Sequence, residues 1–236
     1  MISTMPKWVG DWLESTGGPR LTVLETTYIT QTVKKICFQG NISRLKFIVG
    51  GASVIRVNDT EYRNYTIAGH SIENGILEMI FHIHGNGPGS RYIDNLKAGD
   101  QLYISSPRGH AMYDPKVRRH LIFGDETSLG LACSLLPILK KEGHQFHFYF
   151  ELEEANKAAP QLLGLENFTV FFKNGSFRNE KWISDLPVFQ LADWDAANFI
   201  LTGNAKSVQA FRKVLKKTAT RKIGAQGYWL EGKKGL

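Results

Sequence analysis

Within one short strand-like segment, Tyr62 to Ala68, stand an arginine, a tyrosine and a threonine: Arg63, Tyr65 and Thr66. Strand alternation puts Arg63, Tyr65 and Ile67 on one face, with Asn64 and Thr66 on the other. Arg63 offers a fork of donors to a phosphate, Tyr65 a ring to lie against a planar heterocycle, and Thr66 a small hydrogen-bonding group beside its reactive nitrogen. The competing reading is an edge strand with a solvated arginine. A second segment tips the balance. The apolar run from Ile76 leads through His84 into Gly85, Gly87, Pro88, Gly89 and Ser90. Pro88 suits a first helical position, and the glycines let the backbone approach a ligand closely. N–H groups at such a helix start bind phosphate. A ring seat and a diphosphate seat together read as a flavin site. The turn is neither a G-x-G-x-x-G nor a P-loop.

Several short motifs follow one another in a set order: R-N-Y-T at 63–66, H-G-N-G-P-G-S-R-Y at 84–92, A-G-D-Q-L at 98–102, S-P-R-G at 106–109, G-D-E-T-S at 124–128 and G-Y-W-L-E-G at 227–232. In that order the chain resembles the siderophore-interacting proteins, the FAD-dependent ferric-siderophore reductases of the ferredoxin-reductase-like superfamily. The resemblance covers roughly Arg20 to Gly232. It departs from the family at Ala68, where a second arginine is usual, at the Gly-rich turn, which is one residue shorter, at Tyr92 in place of a tryptophan, and at Thr202-Gly203-Asn204 in place of A-G-E. The resemblance implies FAD held by Arg63, Tyr65, Thr66, Ile67, His84, Gly87, Pro88, Gly89 and Ser90. It further implies NADPH or NADH as electron donor, met by Gly124, Asp125, Thr127, Ser128, Gly203, Asn204 and Trp229. A ferric siderophore or ferric chelate is then the acceptor. No side chain is required as acid or base, and no metal is bound by the protein itself.

The 236 residues, 42% of them apolar, suffice for two modest domains. Cys37 and Cys133 are isolated, which excludes a Cys-x-x-Cys redox pair and iron–sulfur or zinc ligation from this chain; both are expected as core thiols in a reducing cytoplasm. No segment has the length of a membrane span, and no secretory leader is expected. The net charge of +7 attracts anions. Its Lys and Arg residues are scattered and carry no nucleic-acid-reading motif, so a dinucleotide or an acidic chelate fits better than DNA or RNA. Lys206 and Arg212 are candidates for a 2′-phosphate. His82 and His84 share a strand face but lack further ligands for a metal site. There is no G-x-S-x-G elbow, and no carboxylate pair stands out for acid–base work.

The elements that must position these residues fall into two kinds. Trp8, Val9, Trp12 and Leu13 recur at helical spacing, suggesting a lead-in helix over 1–19. From 20 to 115 short strand patterns are expected at 21–27, 32–38, 44–49, 53–57, 62–68, 76–84 and 101–104, with a helix from Pro88 to Leu96; this reads as an antiparallel barrel or sandwich, and the resemblance selects the barrel. From 116 to 236 strands at 120–123, 145–152, 169–172 and 198–202 alternate with helices at 128–141, 155–163 and 205–217. That rhythm predicts a parallel α/β nucleotide-binding domain with ligands at the carboxyl ends of its strands. Two other functions remain compatible: the same fold with another electron acceptor, and a cofactor-free module for an anionic ligand.

Overall fold

The computed structural model describes residues 4–9, 11, 18–85, 87–109, 112–190, 195–217 and 223–233. Trp12, Leu13 and Asn86 lie outside them. The chain divides into two compact units, Met1–Ala111 and Met112–Lys234.

In the first unit, six strands form one antiparallel sheet: β1 (Arg20–Tyr28), β2 (Val33–Gln39), β3 (Ala52–Arg56), β4 (Tyr62–Ser71), β5 (Ile76–His82) and β6 (Gln101–Tyr103). Their spatial order is β3-β4-β5-β2-β1-β6. Isolated bridges Ile55–Ile104 and Ala52–Arg108 bring the two edges together, so the sheet is a nearly closed barrel. Strand β4 makes the corner. Up to Thr66 it pairs with β3, from Ile67 it pairs with β5, and a bulge between Ile67 and Gly69 absorbs the change of partner. This is why β4 continues past Ala68, where the sequence pattern predicts its end.

The barrel is filled by the alternate residues of these strands, including Leu21, Val23, Ile36, Phe38, Ile55, Leu77, Met79 and Phe81. One expectation fails here. The apolar stretch 44–49 is not a strand. Ile42 and Leu45 are buried in the same core, and Phe47 packs against it and stacks on His70 at 3.7 Å between ring centres. The segment is apolar because it closes one side of the core as a loop, and a periodicity argument cannot separate that from a short buried strand. Helix α1 (Pro88–Asn95) starts at Pro88 as expected and contributes Ile93 to the core.

The second unit is a five-stranded sheet, all parallel: β7 (Arg119–Gly124), β8 (Gln145–Leu152), β9 (Phe168–Phe172), β10 (Asn198–Asn204) and β11 (Ile223–Trp229), in the order β11-β10-β7-β8-β9. All seven residues of β10 are buried, as a strand covered on both faces requires. Helix α2 (Leu129–Lys141) follows β7 after one tight turn at Glu126–Ser128. The helix expected over 155–163 is only a tight turn at Glu154–Asn156 and a short α3 (Ala159–Leu162), with Pro160 at its start. Helix α4 (Glu180–Ser184) and strand β11 are additions to the sequence reading. Helix α5 (Ala205–Leu215) sends Val208, Phe211, Val214 and Leu215 onto Leu121, Phe123, Phe199 and Leu201. Cys37 and Cys133 are not joined in a disulfide and both are half-buried, so neither is the core thiol expected.

Candidate functional site

In the first unit, α1 begins without a cap. Gly87 is extended at the N-cap and makes no side-chain cap bond, and the first turn holds no acidic residue. A helix start in that state offers donors and a positive dipole end to an anion. Behind it the turn is clamped shut: the Ser90 hydroxyl accepts from the His84 N–H at 3.1 Å and donates to the His84 carbonyl at 3.0 Å. Gly85, with φ of 58°, supplies the left-handed residue the turn needs.

Strand β4 brings its side chains to this turn. A methyl on Gly89 would lie 2.7 Å from the Tyr65 hydroxyl and 3.1 Å from the Arg63 Cγ. Arg63, Tyr65 and the helix start therefore form one surface, on the face that alternation predicts. Tyr65 packs edge-on to Phe81 at 4.8 Å, and burial pushes its phenol well above the ordinary range. The Arg63 guanidinium is held by Glu61 at 3.0 Å and by the Tyr62 carbonyl at 2.8 Å. Thr66 is buried opposite Ala52, and the Ile67 side chain belongs to the barrel core while its N–H donates to the Gly51 carbonyl at 3.0 Å. Ala68 sits in the bulge, buried. The His82 and His84 rings lie 5.3 Å apart.

The far end of α1 is held by a residue the sequence reading passed over. Lys34 on β2 is 3% exposed and donates to the carbonyls of Ile93 (3.1 Å), Asp94 (2.8 Å) and Leu96 (3.2 Å). Burial lowers its ammonium pKa, with Asp94 opposing. Alternation alone carried the signal: Lys34 shares the inward face with Ile36 and Phe38. Tyr28 on β1 adds a hydrogen bond to Asp94, and its phenol is pushed up to about 12 by burial and then by that carboxylate.

In the second unit the chain leaves β7 and β10 at the point where the strand order reverses, where an open α/β sheet has its crevice. Asp125 turns into this point. One carboxylate oxygen accepts the Thr127 N–H (2.9 Å) and hydroxyl (2.5 Å), and the other the Asn204 N–H (2.8 Å) and the Trp229 indole N–H (2.7 Å). Gly203 makes room for it, since a Cβ there would fall 2.6 Å from the carboxylate carbon. Burial pushes the Asp125 carboxyl up, against the opposing effect of its donors and Lys173. Thr127 is thus engaged internally. Ser128, fully buried on the Thr202 hydroxyl at 2.8 Å, has no side-chain surface for a ligand. At the start of α5 the picture differs. Asn204 caps the helix through its oxygen, while its Nδ2 and the Ser207 Oγ are buried without a partner. Arg212 lies in the last turn of α5, roughly two turns beyond Lys206 in the first, so they cannot grip one phosphate together.

Residues 20–113 match the oxidoreductase FAD-binding domain. The first unit is an FAD-binding barrel. Among curated proteins, an NADH-cytochrome b5 reductase 1 of Dictyostelium discoideum is 30% identical over 77 residues, 33% of this chain and 24% of its own length, so the match spans about a quarter of that relative. Among solved structures, the siderophore-interacting protein SipS of Aeromonas hydrophila superposes with a TM-score of 0.71 at 19% identity, over 91% of this chain and 99% of that one. A siderophore utilization protein of T. fusca gives 0.73 at 22%, over 92% and 94%. The resemblance read from the motifs is borne out in the fold, a barrel followed by a parallel α/β unit.

The FAD-binding barrel fits its ligand on its own geometry. The uncapped, acid-free start of α1 suits a diphosphate, and the Gly89 backbone is closed down on Tyr65 where a flat ring needs a firm wall. In the α/β unit, the unpartnered Asn204 Nδ2 and Ser207 Oγ are the atoms a polar ligand would satisfy. Lys173 and Ser207 went unnoticed in the sequence. Nothing in their spacing marks them, because the crossovers alone bring them to the same edge.

Proposed function

We propose that the chain is an NAD(P)H-dependent flavin oxidoreductase of the cytoplasm that reduces ferric siderophores and so releases Fe(II). The observation carrying this reading is the open start of α1 beneath Tyr65 and Arg63, an anion seat joined to an aromatic wall. Arg63, Gly87, Gly89 and Ser90 would hold and close around the diphosphate, with Tyr65 and Thr66 beside the isoalloxazine. Asn204 and Ser207 would take polar groups of the pyridine nucleotide. Bound FAD supplies the conversion of a two-electron donor into one-electron steps, which Fe(III) requires. Oxygen donors of a chelator hold Fe(III) more strongly than Fe(II), so reduction loosens the metal without a protein ligand. The net charge of +7 favours approach of an acidic chelate. Supporting the acceptor are the motif order and the fold shared with two structures named for siderophores.

The test is the absorption spectrum of the purified protein reconstituted with FAD, followed by anaerobic reduction and mixing with a ferric hydroxamate or catecholate. Bound-flavin bands that bleach with a nicotinamide and return on adding the chelate are expected. A protein that takes up no FAD ends the proposal, and one reoxidised by free flavin or ferredoxin but not by ferric chelates has another acceptor.

A further inference from the structure

Three polar atoms of the second unit are buried without a partner: the Asn204 Nδ2, the Ser207 Oγ and the Arg178 Nε. Asn204 and Ser207 are 4% and 6% exposed and stand at the N-cap and in the first turn of α5, a turn that holds no acid. Arg178 belongs to the same place, because it acts on Asp125, whose carboxylate accepts the Asn204 N–H at 2.8 Å. Strand β11 runs along this helix start. It sets Trp229 opposite Asn204, and a Cβ on Gly227 would fall 2.9 Å from the Ala205 side chain. Two residues beyond β11, Glu231 receives the Arg178 fork on both carboxylate oxygens. Arg178 above all, with Lys206 and Lys173 adding to it, holds the Glu231 carboxyl below its usual range. Lys173 is already bonded to Glu126 at 2.7 Å, whereas Lys206, exposed in the first turn of α5, makes no ion pair among the described residues.

Three acids act on Arg178, and they differ in how readily they can leave it. Asp125 and Glu151 are each 4% exposed and accept internal donors, Glu151 from the Phe177 N–H at 3.1 Å. Moving either would strand buried groups. Half of the Glu231 side chain is exposed, and it stands in a turn closed by the Lys233 N–H on the Leu230 carbonyl at 3.1 Å. An exposed ion pair resists separation by no more than roughly fivefold, and a phosphate offers Arg178 the same two-oxygen face with more charge. We propose that Glu231 is a built-in stand-in for a ligand phosphate: it closes the seat made by Arg178, Lys206 and the start of α5, and a phosphate group of the pyridine nucleotide enters by displacing it. Asn204 Nδ2 and Ser207 Oγ then gain the partner they lack. The bond from the Trp229 indole to Asp125 at 2.7 Å fixes the end of β11, so the displacement is confined to the turn at 230–233. The inference deepens the proposed function and rests on it, since the phosphate is the nucleotide's.

The experiment titrates the FAD-loaded full chain calorimetrically with inorganic pyrophosphate, NAD and NADP, none of which reduces the flavin, for wild type, Glu231→Gln and Lys206→Gln. Glu231→Gln is expected to bind pyrophosphate and at least one nucleotide roughly two- to fivefold more tightly, the range of an exposed pair, and to melt close to wild type. Lys206→Gln weakens both by a similar factor. Affinity unchanged or lowered in Glu231→Gln overturns the inference while leaving the oxidoreductase reading intact, and so does a Lys206→Gln that binds pyrophosphate like the wild type. Pyrophosphate bound more tightly by Glu231→Gln, with neither nucleotide bound by any form, upholds the stand-in and overturns the nucleotide reading of this edge.

Discussion

Gly89 and Tyr65 show how narrow the tolerances at the barrel's ligand surface are. Gly89 has no unusual backbone angle, so its smallness matters only because the Tyr65 hydroxyl and the Arg63 stem lie where a side chain would go. Gly89→Ala should push Tyr65 and Arg63 aside and weaken FAD binding by about tenfold, or ~1.4 kcal/mol, with the far-UV spectrum unchanged. Titration of the apoprotein by flavin fluorescence measures this, and an unaltered Kd removes Gly89 from the cofactor surface. The sequence points to this residue through its neighbours Gly87, Pro88 and Ser90. It carries no hint that Tyr65 is the atom group in contact. Asp125 teaches the complementary lesson. The motif resemblance sets it among the residues that meet the nucleotide, yet its carboxylate serves the fold as an internal acceptor, taking donors from Thr127, Asn204 and Trp229 at once.

Helix α1 depends on both its ends. Its start is open and its end is closed by the Lys34 ammonium, a cation at the negative pole of the helix. Lys34→Met keeps the length and apolar stem but strands the carbonyls of Ile93, Asp94 and Leu96. It should cost about 2 kcal/mol in stability and lower FAD affinity by fraying the helix that receives the diphosphate. Denaturant unfolding of the apoprotein beside a flavin titration separates the two effects; stability lost with affinity unchanged confines Lys34 to the scaffold. Among the elements, those with caps, alternation or long apolar runs were legible: β8 appears at the predicted bounds, and α1 and α5 start where Pro88 and Asn204 mark them. The loop at 44–49 and the short α3 were misread, because core-facing loops and turns share the composition of strands and helices. Strand β11, half-buried along its whole length, has too many small residues to announce itself.

The pH dependence of the molecule is set in its interior. His120 is fully buried: its Nε2 donates to the Val117 carbonyl at 2.8 Å, its Nδ1 accepts from the Asn198 amide at 3.2 Å, and it stacks on His144 at 4.9 Å. Burial, with His144 adding to it and Val117 and Asp114 opposing, pushes its pKa from 6.5 down to about 4. The unfolded chain then binds the proton more readily than the folded one, so the contribution is complete above pH 6.5 and is lost as pH falls toward 4. The slope is about 1.4 kcal/mol per pH unit for one proton, and His147 and His70, also lowered by burial, add to it. Urea midpoints should fall between pH 6.5 and 4.5, and His120→Gln should flatten that fall even though its stability at neutral pH is lower. A variant with the wild-type slope shows that another group carries the effect.

What the amino-acid order determined by itself was local: which runs alternate, where glycine and proline break them, and which side chains share a strand face, hence an antiparallel barrel or sandwich followed by an α/β unit, and a phosphate turn beside an aromatic strand. Those are consequences of short-range geometry. Only the tertiary structure decided that Lys34 serves the helix rather than the solvent, that Asp125 faces inward, and that Lys173 and Arg178 are held by Glu126 and Glu231. Each of those partners lies tens of residues away. The energy of a charge is set by what the folded chain brings within a few ångströms of it, which the sequence leaves open until the strands are placed in order.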